Sequence, residues 1–180
     1  MNKLVIAGLA SLAALGLAPV AANAQSVDVQ KPVTIKLGIF LPSNGTVKNK
    51  VGSTFFAAGL EFGLSKTTAD QATIPLLYVD YNGDSKSGQH LYDTGVGVGV
   101  KHYLGSADAR SSPYVGAGVG AYFDQASLNG SSENKTNLGF KLDVGYEFSH
   151  AALIEADYVN AGSAAGVSAD GFDILVGYRF

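Results

Sequence analysis

The sequence predicts an all-β fold: an eight-stranded, antiparallel, up-and-down transmembrane β-barrel over residues 25-180, behind a signal peptide over 1-24. Three observations predict it. Eight segments alternate apolar and polar residues with a period of two, the period of a strand. The polar side of those segments is filled with glycine, charge and tyrosine. The aromatic residues of the apolar side fall at the segment ends and leave an aliphatic middle.

The leader comes first. Met1-Asn2-Lys3 is a short positive start, Leu4 to Leu17 is almost wholly apolar, and Pro19 precedes Ala22-Asn23-Ala24, an A-x-A cleavage signal before Gln25. Export with cleavage is the expectation. The chain has no cysteine, which excludes an N-terminal lipid and any disulfide. Without Lys3, 11 of the 12 Lys and Arg remain against 15 acidic residues. They are scattered, with no basic stripe, so no nucleic-acid partner is expected. No second stretch is long and apolar enough for a membrane helix. A membrane crossing, if made, is made by strands.

The first strand is predicted over Val33 to Leu41, with Val33, Ile35, Leu37, Ile39 and Leu41 on one face. The second covers Phe55 to Leu64, with Phe56, Ala58, Leu60, Phe62 and Leu64 together. In the third, Ile74 to Tyr81, Leu76 and Leu77 are adjacent; assigning Leu77, Val79 and Tyr81 to the apolar face sends Asp80 to the other. The fourth, Leu91 to Leu104, carries Tyr92, Val96, Val98, Val100 and Leu104. The fifth, Tyr114 to Phe123, carries Val115, Ala117, Val119, Ala121 and Phe123. The sixth, Asn137 to Phe148, alternates from Leu138 through Phe140, Leu142, Val144 and Tyr146. The seventh, Leu153 to Val159, carries Ile154, Ala156 and Tyr158. A tight hairpin at Ser149-His150 joins these two. The last, Gly171 to Phe180, carries Phe172, Ile174, Val176, Tyr178 and Phe180. No helix is expected in the mature chain.

The opposite faces decide which way the barrel turns. They hold Gly59, Gly95, Gly97, Gly99, Gly116, Gly118, Gly120, Gly139, Gly145 and Gly177, interleaved with Phe40, Tyr78, Tyr103, Tyr114 and Tyr122. Glycine weakens a strand on a solvent face. On the concave side of a narrow closed barrel it makes room for large inward side chains and permits curvature. The apolar face is therefore expected to point outward. With alternating strands and a periplasmic N-terminus, outward Phe56, Tyr81, Tyr92, Phe123, Tyr158 and Phe172 share the outer end. Phe62, Tyr146, Phe148, Tyr178 and Phe180 share the periplasmic end, and only Phe140 departs from the banding. Two aromatic girdles around an aliphatic band are the signature of a barrel in a bilayer.

The leader, the run Pro113-Tyr114-Val115-Gly116-Ala117-Gly118-Val119-Gly120-Ala121-Tyr122-Phe123 and the terminal Gly171 to Phe180 resemble the small eight-stranded bacterial outer-membrane barrels, the group that includes OmpX, OmpW and the OmpA barrel domain. The resemblance implies a Gram-negative outer membrane, a monomer, contact with outer-membrane lipid and lipopolysaccharide, and biogenesis through periplasmic chaperones and the barrel-assembly machinery. It also implies that Tyr178 and Phe180 form the assembly signal. These motifs are shared by proteins with different duties and bear on fold and location more than on activity.

The polar chemistry follows from the inward face. The Gly95-x-Gly97-x-Gly99 and Gly116-x-Gly118-x-Gly120 runs keep a spacing of two with no helix after them, so they are strand glycines, not a phosphate loop. His90, His102 and His150 lack metal-ligand spacing, and no metal or cofactor is expected. Eight inward acids, Glu61, Asp80, Asp93, Asp143, Glu147, Glu155, Asp157 and Asp173, face Lys36, Lys101, Lys141 and Arg179. Buried charges must be paired, so an ion network plugging the lumen is expected. A narrow cation-preferring path is the alternative that the excess of acid supports. Third is a lipid A-modifying enzyme at the outer rim, using His90 with Ser87 and Asp93. The outer loops are expected at Pro42 to Thr54, Asn82 to Gln89, Asp124 to Thr136 and Ala161 to Asp170. Lys48 and Lys50 in the first could meet lipopolysaccharide phosphates. The leading expectation is a structural or surface-interacting membrane protein without turnover.

Overall fold

The structure is a computed structural model that describes residues 33–64, 73–104, 111–128, 130–148 and 151–180. The leader, its cleavage site and the turn at 149–150 lie outside the described residues. Its strands are β1 (Val33–Pro42), β2 (Phe55–Gly63), β3 (Thr73–Lys86), β4 (Gln89–Tyr103), β5 (Ser111–Leu128), β6 (Ser131–Phe148), β7 (Ala152–Asn160), two short pieces β8 (Ser163–Ala164) and β9 (Val167–Ser168), and β10 (Gly171–Arg179). One helix, α1, spans Gly45–Lys50.

Sequence neighbours pair antiparallel around the barrel, and β1 closes on β10 from Thr34↔Arg179 to Pro42↔Gly171. Closure removes the unpaired edges that an open sheet would leave. The fold class is the eight-stranded up-and-down barrel that the alternation predicts. The apolar face points outward: Leu37, Val98, Val119, Leu142, Val144 and Val176 are all more than half exposed. Leu77 lies on that face and Leu76 is buried inside.

Aromatic contacts on the outer surface stay within one level. Phe56–Tyr81, Phe140–Tyr158 and Tyr158–Phe172 meet toward one end, with centroids 6.4, 6.1 and 5.2 Å apart. Tyr146–Phe148 and Tyr178–Phe180 meet toward the other at 4.8 and 4.9 Å. Phe140 joins the first girdle through Tyr158, because the strand register staggers around a tilted barrel and sequence height alone misplaces it.

Two expectations are corrected at the end of the β3–β4 and β5–β6 hairpins, the end expected to face outward and hence called outer. The loops predicted at 82–89 and 124–136 are largely strand: β3 and β4 pair up to Lys86↔Gln89, and β5 and β6 up to Leu128↔Ser131. Beyond Phe123 the outward positions turn polar (Gln125, Ser127), so the alternation fades while the hydrogen-bond ladder continues. The expectation of no helix also fails. Asn44 Oδ1 accepts hydrogen bonds from Thr46 N at 2.9 Å and Val47 N at 3.2 Å, an N-cap. Val47 and Val51 then turn inward and are fully buried.

These residues build a cap. The buried cluster at the outer mouth joins Val47 and Val51 to Leu91, Ala126 and Leu128 of the projecting strands and to Ala161, Ala164 and Ala169 around the β8–β9 hairpin. Asn137 Nδ2 donates to Ser163 O at 3.3 Å, and Ala165 N donates to Glu133 Oε2 at 2.5 Å. Ser43 N donates to Asp170 O at 2.8 Å and ties the first outer loop to the last.

Candidate functional site: a charged lumen

Each inward charge is placed by strand parity, and glycines on neighbouring strands make room for the large inward side chains. Tyr78 lies against Gly97, Gly118 and Gly120; a Cβ at Gly118 would stand 2.7 Å from its ring. Tyr122 covers Gly95, where a Cβ would stand 2.6 Å away, and also Gly139. Tyr114 covers Gly145, and the Asp143 carboxylate sits over Gly116. The glycines are the floor on which the large lumen side chains lie.

The charges at the centre of the network are drawn from six strands. Lys36 Nζ donates to Glu61 Oε1 at 2.8 Å and to Glu155 Oε1, and stands 3.8 Å from Asp157 Oδ2. Lys101 Nζ binds the other oxygens of the same two acids, Glu61 Oε2 at 2.7 Å and Glu155 Oε2 at 2.9 Å. The two lysines and two glutamates thus close a ring across β1, β2, β4 and β7. Tyr114 OH donates to Glu155 Oε2 at 2.7 Å. Lys141 reaches Asp80 at 3.1 Å and Glu61 at 3.7 Å. Lys101 and Lys141 each stand 4.4 Å from a tyrosine ring centre, Tyr114 and Tyr78. Toward the β10 terminus, Arg179 Nη2 binds Glu147 Oε2 at 2.7 Å, and Tyr103 OH donates to the same oxygen at 2.7 Å.

All twelve charged residues singled out by parity point into the barrel. Nine enter ion pairs: Lys36, Glu61, Asp80, Lys101, Lys141, Glu147, Glu155, Asp157 and Arg179. Asp93, Asp143 and Asp173 are buried outside those pairs. Asp93 and Asp173 belong to a separate acidic group nearer the cap. There Asp93 is the strand partner of Asp124, and Asn82 is the strand partner of Asp93. Asn137 Nδ2 donates to Asp124 Oδ2 at 2.6 Å. The Asn82 amide, with its nitrogen turned toward them, donates to Asp173 Oδ1 and Tyr81 O, both at 3.0 Å.

Sequence reasoning placed Asp124 in a loop and missed it as a lumen acid, although its parity with Tyr122 was the available signal. Among the described residues, no group of three or more His, Asp or Glu is arranged to hold a metal ion. The rim trio is not assembled either. His90 stacks on outward Tyr92 with ring centres 5.0 Å apart, whereas Asp93 is buried on the opposite face of β4. His102 instead meets Thr73 Oγ1 through Nδ1 at 2.8 Å, and His150 lies outside the described residues.

The sequence matches no family model and no curated relative. Solved structures share the fold. Neisserial surface protein A aligns with a TM-score of 0.65 at 15% identity, covering 82% of this chain and 94% of that one. The outer-membrane enzyme PagL aligns at 0.58 and 10% identity, covering 82% and 98%. The N-terminal β-barrel domain of Pseudomonas aeruginosa OprF aligns at 0.53 and 14% identity, covering 84% and 98%.

Proposed function

We propose that the chain is an integral outer-membrane barrel with a structural or surface-interacting role and a lumen closed by its own side chains. The carrying observation is the filled interior: Lys36, Glu61, Lys101 and Glu155 bind one another across the lumen with both lysines and both glutamates nearly fully buried. The outward aliphatic band between aromatic girdles supports the outer-membrane location, as do the solved outer-membrane barrels that share the fold. Membrane fractionation with heated and unheated gel mobility tests it. A heat-modifiable band in the outer-membrane fraction is expected; a periplasmic species with unshifted mobility would sink the reading.

Two partner assignments belong to the same proposal. Lys48 and Lys50 are exposed in the last turn of α1, with no acid in its first turn, and are offered to lipopolysaccharide phosphates. Tyr178 and Phe180 are offered to the barrel-assembly machinery. A second reading, a narrow cation path, is supported by the acid excess of the lumen. Discrete conductance steps in planar bilayers would favour it over the sealed barrel. The third reading, an enzyme at the rim, keeps one argument, the fold shared with the outer-membrane enzyme PagL, against the opposed facing of His90 and Asp93. A lipid A mass shift that disappears on His90→Ala would restore it.

A further inference from the structure

The acidic group beneath the cap differs from the network below it. Asp93 and Asp124 stand directly opposite each other on β4 and β5, and both are almost completely buried. As cross-strand partners on the inward face, their carboxyl groups point into the same small space. Among the described residues, no donor reaches Asp93 Oδ1 or Asp124 Oδ1. Two buried, facing carboxylates repel each other, and a hydrogen bond formed between them requires a proton on one. The surroundings favour keeping that proton. Asp80 of β3 and Asp173 of β10 face Asp93. Asp170, beside the β8–β9 hairpin, and Lys135 of β6 face Asp124. Tyr122 of β5 lies alongside. Lys135 is the base beside Asp124, while on the lower side Lys141 stands 3.1 Å from Asp80 and Lys36 and Lys141 act on Asp173.

The pair is wired to the cap. Asn137 Nδ2 donates both to Asp124 Oδ2 and to Ser163 O, at the start of the β8–β9 hairpin. The hydrogen bonds of Asn137 therefore connect the Asp93–Asp124 pair to the hairpin that covers the outer mouth. From the barrel side, Glu133 Oε2 also holds the hairpin, accepting from Ala165 N.

We propose that Asp93 and Asp124 form a shared-proton latch that keeps the outer cap closed and releases it when the proton is lost. While one proton is held, the pair carries a single charge and Asp124 stays in place to receive Asn137. When pH rises and the proton leaves, two buried carboxylates repel, Asp124 shifts, and Asn137 lets go of Ser163. The cap loosens while the Lys36–Glu61–Lys101–Glu155 ring below stays intact.

The absence of native cysteine allows a direct test on the full-length barrel folded in detergent or liposomes. A cysteine is placed at buried Ala164, with Ala169→Cys as a second buried site and Ser163→Cys as the exposed reference. Each is reacted with a charged methanethiosulfonate reagent, and heat-modifiable gel mobility confirms folding. Dividing the buried rate by the exposed rate removes the intrinsic ionisation of the thiol. That ratio is expected to rise about tenfold or more between about pH 6 and pH 9, as local opening exposes the site. In Asp93→Asn the amide supplies a permanent donor to Asp124, so the ratio is expected to stay low and flat. A flat ratio in the native pair, or an equal rise in the Asp93→Asn protein, would overturn the latch.

Discussion

At the scale of single residues, the lumen is governed by the cost of leaving a charge alone. Lys36 is completely buried and serves Glu61, Glu155 and Asp157 at once. Lys36→Met keeps much of its volume and removes its charge, stranding acids that water cannot reach. Loss of about 3–5 kcal/mol is expected, because breaking a buried pair leaves its partner uncompensated. Urea titration followed by the folded band on unheated gels measures it. Lys48→Met, on the exposed face of α1, is the control and should fall within about 0.5 kcal/mol of the parent. Equal stability of the two variants would mean that water or counter-ions enter the lumen freely. Glycine obeys the same logic through space. Gly118→Val would push a side chain into Tyr78 and crowd Lys141, so poor assembly of the barrel is expected. Gly45→Ala meets nothing within 4 Å and should assemble normally. The ratio of folded to unfolded band after expression compares them.

At the scale of elements, what was legible depended on which forces acted on both faces of a strand. Where one face meets an apolar surround and the other a packed lumen, alternation is strong, and parity placed Lys36, Glu155 and Asp173 inside from sequence alone. Above the outer girdle that contrast ends. The extensions of β5 and β6 carry Gln125, Ser127, Ser132 and Asn134 on the outward side, and the residues that matter face the cap. Asp124 was lost there. So was α1, whose six residues are too few to show a helical period and whose packing rests on only Val47 and Val51. Cross-strand neighbours such as Asp93 and Asp124 were not legible, because register depends on where each ladder begins, not on periodicity. The cap is accordingly separable from the barrel. Val47→Asp would bury an unpaired carboxylate in the cap core without touching the strands below. Trypsin cleavage after Lys48 or Lys50 is expected to accelerate at least about tenfold, while heat-modifiable mobility is retained. Loss of the folded band would instead show that cap and barrel fold as one unit.

At the scale of the whole molecule, two closures stand in series with the acidic group between them. The outer one is apolar, built from α1, the β8–β9 hairpin and the projecting strands. The inner one is ionic, the Lys36–Glu61–Lys101–Glu155 ring with Lys141 and Asp80 beside it. An eight-stranded barrel has an interior that side chains can fill, and the ring's links span strands on opposite sides of the closed sheet. If the ring alone blocks passage, replacing 162–169 with a short Gly-Ser turn should leave planar bilayers silent, because no wet path crosses the lysine–glutamate layer. The same shortening should strip the shared carboxyl pair of its cover and make modification of a cysteine at Leu91, buried in the cap core, rapid at every pH. The two readouts divide the duties of the closures. Silence with rapid labelling assigns the seal to the ring and the access control to the cap. Discrete conductance steps in the shortened barrel would place the seal in the cap, and the lumen acids would then face a path that ions can use.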